Sequence, residues 1–180
     1  MRRKNITSEM MKQFIAEALL LLMEKKQYDS ITIGEITQRA GVNRSTYYRN
    51  FETKDEILQY YFEQIIYTHV ARIPKQHVPL PDYLLEMFTH YYEYKEKLLL
   101  IHRAKKSHLI LDTLNRTFSS IREDKALINK YEIYYHTGGI FNTFILWFDN
   151  EMQESPKAMT RISCSFMPTN FQPMLMLSKE

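Results

Sequence analysis

Apolar side chains recur three and four positions apart along almost the whole chain. The residues that break helices are scarce, with four glycines and six prolines in 180 residues. This pairing constrains the fold more than any other feature. A sandwich or barrel needs turn residues roughly every eight to twelve positions, and this chain does not have them. Helical spacing with few turn formers predicts an all-α protein. Hydrophobic residues make up 44% of the chain and charged residues 25%, which excludes disordered and fibrous classes. At this length folding buries roughly 70% of the open chain's surface, so a substantial core is expected.

About nine helices follow from the pattern. Met11, Phe14, Ile15, Ala18, Leu19 and Leu22 make one stripe of a first helix over about 8–26, capped by Thr7. Thr32-x-x-Glu35 is a capping box opening a second, short helix, and Gly41 supplies the positive φ for a sharp turn after it. Asn43 caps a third helix over about 44–50. Thr53-x-x-Glu56, a second capping box, starts a fourth with the stripe Ile57, Leu58, Tyr61, Phe62, Ile65, Ile66. The proline-rich stretch 74–81 reads as a loop with Pro81 at a helix start. Helices over about 81–94, 95–104, 107–122 and 125–150 come next, and Ser155-Pro156 opens a last one to Met167. The tail from Pro168 has two prolines and no clear period.

One segment carries chemistry. Residues 31–51 read ITIGEITQRAGVNRSTYYRNF, two short helices joined by Ala40-Gly41-Val42-Asn43, in the proportions of a helix-turn-helix. Ile33, Ile36 and Ala40 pack inward from the first, and Val42 in the turn holds the two apart. Arg44, Ser45, Thr46, Tyr48, Arg49 and Asn50 are left on or near the outer side of the second helix. Arginine bonds a guanine edge bidentately and small hydroxyls approach bases closely. Tyrosine, asparagine and lysine reach phosphate oxygens.

Here the sequence resembles the N-terminal domain of the TetR family of transcriptional regulators, over about residues 8–60. The features recur in order: the long first helix, Thr32-Ile33-x-Glu35-Ile36, Arg39-Ala40-Gly41-Val42, Ser45-Thr46-Tyr47-Tyr48, Asn50-Phe51, then Lys54-Asp55-Glu56-Ile57-Leu58. Gln27 departs from the usual glycine and Asn50 from the common histidine. The resemblance implies a DNA-binding domain over 1–54 and an effector-binding, dimerising domain over 55–180. It implies base contacts from Arg44, Ser45 and Thr46, and phosphate contacts from Thr32, Asn43, Tyr48, Arg49 and Lys54. Tyr47 and Phe51 fall at core positions. The implied partners are double-stranded DNA, a second copy of the chain and a small-molecule effector, with a bacterial cytoplasmic, nucleoid-associated location. Repression by a homodimer on a palindromic operator is the expected mode. The alternative is a regulator or activator with no small ligand, whose C-terminal domain docks a partner protein.

The stretch 138–148 is apolar on nearly every side and begins with Gly138-Gly139, a pair that permits close backbone approach or a kink. In the family the last two helices meet their symmetry mates. This implies an interface from Ile140, Phe141, Phe144, Ile145 and Phe148 with Met159 and Ile162. Tyr91, Tyr131 and Tyr135 are candidates to line an effector pocket, although aromatic residues at helical spacing are more often plain core.

The remaining signals are exclusions. Six histidines lack any Cys/His ligand spacing, so no metal is expected, and no cofactor motif is present. Neither a glycine-rich phosphate loop nor a nucleophile elbow occurs, so an enzyme is not expected. A single cysteine, Cys164, cannot form an internal disulfide. The basic start before Phe14–Met23 imitates a signal peptide, but Glu17 interrupts the run and no cleavage site follows. No stretch is apolar enough to span a membrane. A net charge of +3 is compatible with nucleic-acid binding without arguing for it.

Overall fold

The structure is a computed structural model and describes residues 2–73, 78–121 and 127–167. Among them there is no strand. There are nine α-helices: α1 Arg2–Met23, α2 Ile33–Ala40, α3 Arg44–Asn50, α4 Lys54–Arg72, α5 Leu80–Glu93, α6 Lys95–Arg103, α7 His108–Ile121, α8 Leu127–Asp149 and α9 Pro156–Phe166. A one-turn 3-10 helix, Tyr28–Ser30, precedes α2. The all-α expectation therefore holds. One end moves: α1 begins well before Ser8, so Thr7 lies within it rather than at its cap. Residues 74–77 of the proline-rich loop and the tail 168–180 lie outside the described residues.

The chain forms two compact units. The first comprises Met1–Gln64 and Leu100–Thr113, the second Ile65–Leu99 and Leu114–Glu180. The helix-turn-helix segment thus belongs to a unit that also takes in a later stretch of chain.

In the first unit α1 packs on α2 and α3, and α2 on α3. Ile15, Leu19, Ile36, Tyr47, Phe51, Ile57 and Leu58 form its core, joined by Ile101 and Leu109 from the later stretch. A polar clamp ties that stretch in. The Tyr28 hydroxyl donates to Asp55 Oδ1 at 2.5 Å, and Lys106 Nζ lies 3.0 Å from the same carboxylate and 4.8 Å from the Tyr28 ring centre.

The second unit is organised by aromatic rings. The α5 helix packs on α9. Phe88 meets Trp147 edge-on at 5.5 Å, and Tyr91 meets Phe144 at 4.8 Å. Such pairs each add about 1 kcal/mol beyond the area they bury. Trp147 Nε1 donates to the Glu154 carbonyl at 3.0 Å, which anchors the turn between α8 and α9. In that turn Glu151 and Met152 both take positive φ, 55° and 48°. The Met152 amide closes back on the Trp147 carbonyl at 2.8 Å, and its side chain is fully buried. A left-handed pair without glycine is strained, and here the buried methionine and the closing hydrogen bond hold it.

Candidate functional site

The local chemistry that builds the helix pair is that of its termini. Thr32 Oγ1 accepts from the Glu35 amide at 3.2 Å while Glu35 Oε2 accepts from the Thr32 amide at 2.9 Å, so the capping box is complete. Lys26 adds an ion pair to Glu35 at 2.6 Å. Its hydrogen bond, ahead of those from Thr32, holds the Glu35 carboxyl at about 2, below the usual carboxylate range. Gly41 sits at φ 67°, where a Cβ would be strained, and the Val42 amide reaches back to the Thr37 carbonyl at 3.0 Å. The chain then restarts at Asn43, whose Oδ1 accepts from the Thr46 amide at 2.8 Å.

These terminal bonds orient α3. Tyr47 is fully buried and Phe51 nearly so, which fixes the inner face. Arg44, Ser45, Tyr48 and Arg49 are exposed on the other side, Tyr48 at 58%, and Thr46 and Asn50 are half-buried. The Ser45 hydroxyl donates to Asn43 Oδ1 at 2.7 Å. Asn50 donates to the Thr46 carbonyl at 2.7 Å and its Oδ1 accepts from Ser8 at 2.7 Å. Arg44 lies back along α2, its Nη2 3.4 Å from where a Cβ on Gly34 would stand.

Thr32 is exposed at the start of α2, with its hydroxyl engaged in the box. Lys54 sits differently from the rest. Its ammonium donates to the carbonyls of Tyr28 and Ile31, both at 2.8 Å, and lies 4.6 Å from the Tyr28 ring centre. Two of its three donors thus hold the turn before α2. Burial shifts its titration downward.

Tyr47 carries a cost inside this core. Its hydroxyl is buried with no hydrogen-bond partner, and burial pushes its pKa up to about 12. Tyr47→Phe is therefore expected to raise stability by about 1 kcal/mol, measured by urea unfolding, with DNA binding unchanged. A loss of stability would count against this account of the hydroxyl.

In the second unit the residues expected at an interface divide. Phe144, Phe148 and Met159 are 4%, 1% and 5% exposed within this one chain, so they are core and have little surface to offer a partner. Ile140, Phe141 and Ile145 are half-buried, and Ile162 is 47% exposed. Leu146, at 64%, and Phe166, at 59%, lie outside the expected set and are exposed. The α8 helix is apolar on nearly every side, so periodicity could not tell Leu146 from Phe144.

The three candidate pocket tyrosines are not brought together. Tyr91 is buried in the aromatic core, Tyr131 is 72% exposed, and Tyr135 lines a cavity whose wall includes neither of the others. That cavity, about 510 Å³, lies between α5, α8 and α9. Its wall includes Met87 and Phe88 from α5, the Gly138-Gly139 pair and Phe144 from α8, and Ser163 and Phe166 from α9.

A turn-linked helix pair, whose second helix is held by its inner ring and turns arginine, serine and tyrosine outward, defines a helix-turn-helix DNA-binding protein. Residues 15–61 match the family described as bacterial regulatory proteins, tetR family. The match covers the helix-turn-helix segment and makes the chain a DNA-binding transcriptional regulator with a tetR-type reading domain. Among the solved structures that resemble the chain, the dihydroxyacetone kinase operon activator DhaS aligns with a TM-score of 0.53 at 17% identity, over 86% of this chain and 90% of that one. A tetR-family transcriptional regulator from Streptomyces coelicolor aligns at 0.49 and 16% identity, over 86% and 80%. The first likeness supports the fold alone. No curated protein matches the sequence. No helix among the described residues is long and apolar enough to cross a membrane.

Proposed function

We propose that the protein is a homodimeric repressor that reads a palindromic operator through α3 and is released by a small molecule bound in its C-terminal unit. The observation that carries this reading is the outer face of α3, where Arg44, Ser45, Tyr48 and Arg49 are exposed together above a fixed core. Arg44 and Ser45, with Thr46 beside them, are assigned to base edges. Tyr48, Arg49, Asn43 and Thr32 are assigned to phosphates. Lys54 keeps a phosphate role through its third donor while its other two hold the carbonyls of Tyr28 and Ile31.

Arg44→Ala is expected to weaken binding to the selected operator by about 1–3 kcal/mol and to relax preference at one base position. Tyr48→Phe is expected to weaken operator and random DNA about equally, since phosphates carry no sequence information. Gel-shift titrations at fixed salt on both DNAs test this. Equal loss on both DNAs for Arg44→Ala would sink the base-reading role.

A second reading is a regulator that uses no small ligand and docks a protein through its C-terminal unit. Tyr131 and Tyr134, at 72% and 49% exposed and outside the cavity, favour it. In vitro transcription from the operator-bearing promoter separates the two: repression by the protein alone supports the first, and stimulation supports the second.

A further inference from the structure

Two glycines in the middle of α8 have no explanation among the described residues. Each costs about 1 kcal/mol of helix stability relative to alanine. A Cβ added at Gly138 or at Gly139 would meet nothing within 4 Å, and neither residue has positive φ. No close approach among the described residues and no special backbone conformation requires them. The space beside them is the α5–α8–α9 cavity, whose wall they form.

The cavity has a second anomaly. Ser163, on the α9 wall, is 1% exposed, and its hydroxyl has no hydrogen-bond partner. An unpaired buried hydroxyl costs about 1–3 kcal/mol, and a bound molecule with one polar atom would remove that cost. The volume, about 510 Å³, falls in the range of small-molecule sites and exceeds what one inserted side chain fills. Among the described residues no aspartate, glutamate, lysine or arginine lines it, and His136 is the one imidazole in its wall. An anionic guest would therefore meet no fixed cation there and a cationic one no carboxylate. Phe88, Phe144, Tyr135 and Phe166 supply ring faces and edges, Met87 a polarisable sulfur, and the glycine pair a wall without side chains.

We infer that this cavity binds a neutral, ring-bearing, mostly apolar small molecule, which lies against the Gly138-Gly139 backbone and hydrogen-bonds to Ser163. The inference rests on the effector reading above and names the ligand class for it.

The test uses the full chain and two probes that share a skeleton, N-phenyl-1-naphthylamine and its sulfonate, 8-anilinonaphthalene-1-sulfonate. Fluorescence titration is expected to show saturable binding of the neutral amine, one per chain, at least about tenfold tighter than the sulfonate. Ser163→Ala is expected to weaken the amine roughly tenfold. Gly138→Leu fills the space and is expected to weaken it ~100-fold. Both variants should melt no lower than the parent, because one loses an unpaired hydroxyl and the other gains helix propensity. Gly138→Ala is the milder form if leucine impairs folding, with a smaller loss in the same direction. Equal affinity for the two probes, or unchanged binding in both Ser163→Ala and the Gly138 variant, overturns the site. A folded Gly138 variant that becomes monomeric also overturns it, since the glycines would then serve contact with a second copy. Saturable, variant-sensitive binding that leaves operator affinity unchanged supports the site and overturns release by the ligand.

Discussion

Replacing Ile162 or Leu146 with glutamate is expected to yield a folded chain that sediments as a monomer and binds its operator at least about a hundredfold more weakly. One helix-turn-helix contacts too few base pairs to compete against genomic DNA, and twofold pairing doubles the readout and fixes half-site spacing. Leu146 and Ile162 are 64% and 47% exposed on α8 and α9. Tyr131 and Tyr135 share the α8 stripe with Leu146, Phe166 stands one turn beyond Ile162, and Tyr135 and Phe166 both line the cavity. An isologous contact places each substitution in the interface twice. Phe144→Glu tests nothing of the kind, because that ring is 4% exposed among Phe88, Tyr91 and Trp147. Analytical ultracentrifugation with operator titration decides the matter. Variants that remain dimeric and bind normally would move the interface elsewhere.

Acid is expected to unfold the second unit well before the carboxylates as a class are protonated. His69 is 1% exposed, with Tyr83, His90 and Tyr91 around its ring. Burial first, then His90 and Arg72, lowers its pKa from 6.5 to about 3. Between those values the unfolded chain binds a proton that the folded chain refuses. Stability therefore falls as pH drops below about 6.5, by about 1.4 kcal/mol per pH unit for this one group.

His90 adds to the slope. Its Nε2 donates to the Ile65 carbonyl at 2.9 Å, its Nδ1 is buried without a partner, and burial lowers its pKa as well. Glu86 works the other way. Its Oε2 stands 3.0 Å from His69 Nδ1 without hydrogen-bond geometry, and burial raises its pKa, so its own cost eases as pH falls. Arg72 and Glu93 pair with each other nearby at 3.0 Å. Thermal melts from pH 7.5 to 4.5 should show the decline, and His69→Phe should flatten it by about one proton's worth. An unchanged slope in that variant would assign the acid sensitivity to other groups.

What the sequence disclosed was what a few neighbouring residues decide. Thr32 with Glu35, Gly41 and Asn43 act across three to five positions, and the helix pair they delimit stands where their spacing puts it. Tyr47 and Phe51 are assigned to the core through the family resemblance, and both are buried. The terminus of α1 was not legible, because nothing in its first turn stops a helix. The features that depend on distant packing were also hidden: Lys106 closing on Asp55 and Tyr28, His69 beside His90, and the unpaired Ser163 hydroxyl. The α8 helix shows the limit most clearly. Leu146 and Phe144 are two positions apart in an unbroken apolar run, yet one is surface and the other core, and only the rings of α5 decide which.

The Lys106 clamp also bears on how the protein is made. The DNA-reading unit takes Ile101, Leu109 and the Asp55 counter-charge from a stretch that begins some 35 residues after Gln64. A ribosome adds roughly 5–20 residues per second. The reading helix therefore emerges several seconds before the chain that completes its support. During that interval Ile57 and Leu58 lack part of their cover and Asp55 lacks its lysine. A nascent regulator would not hold DNA firmly until its middle has been synthesised, and a fragment cut after α4 should behave as this unfinished intermediate.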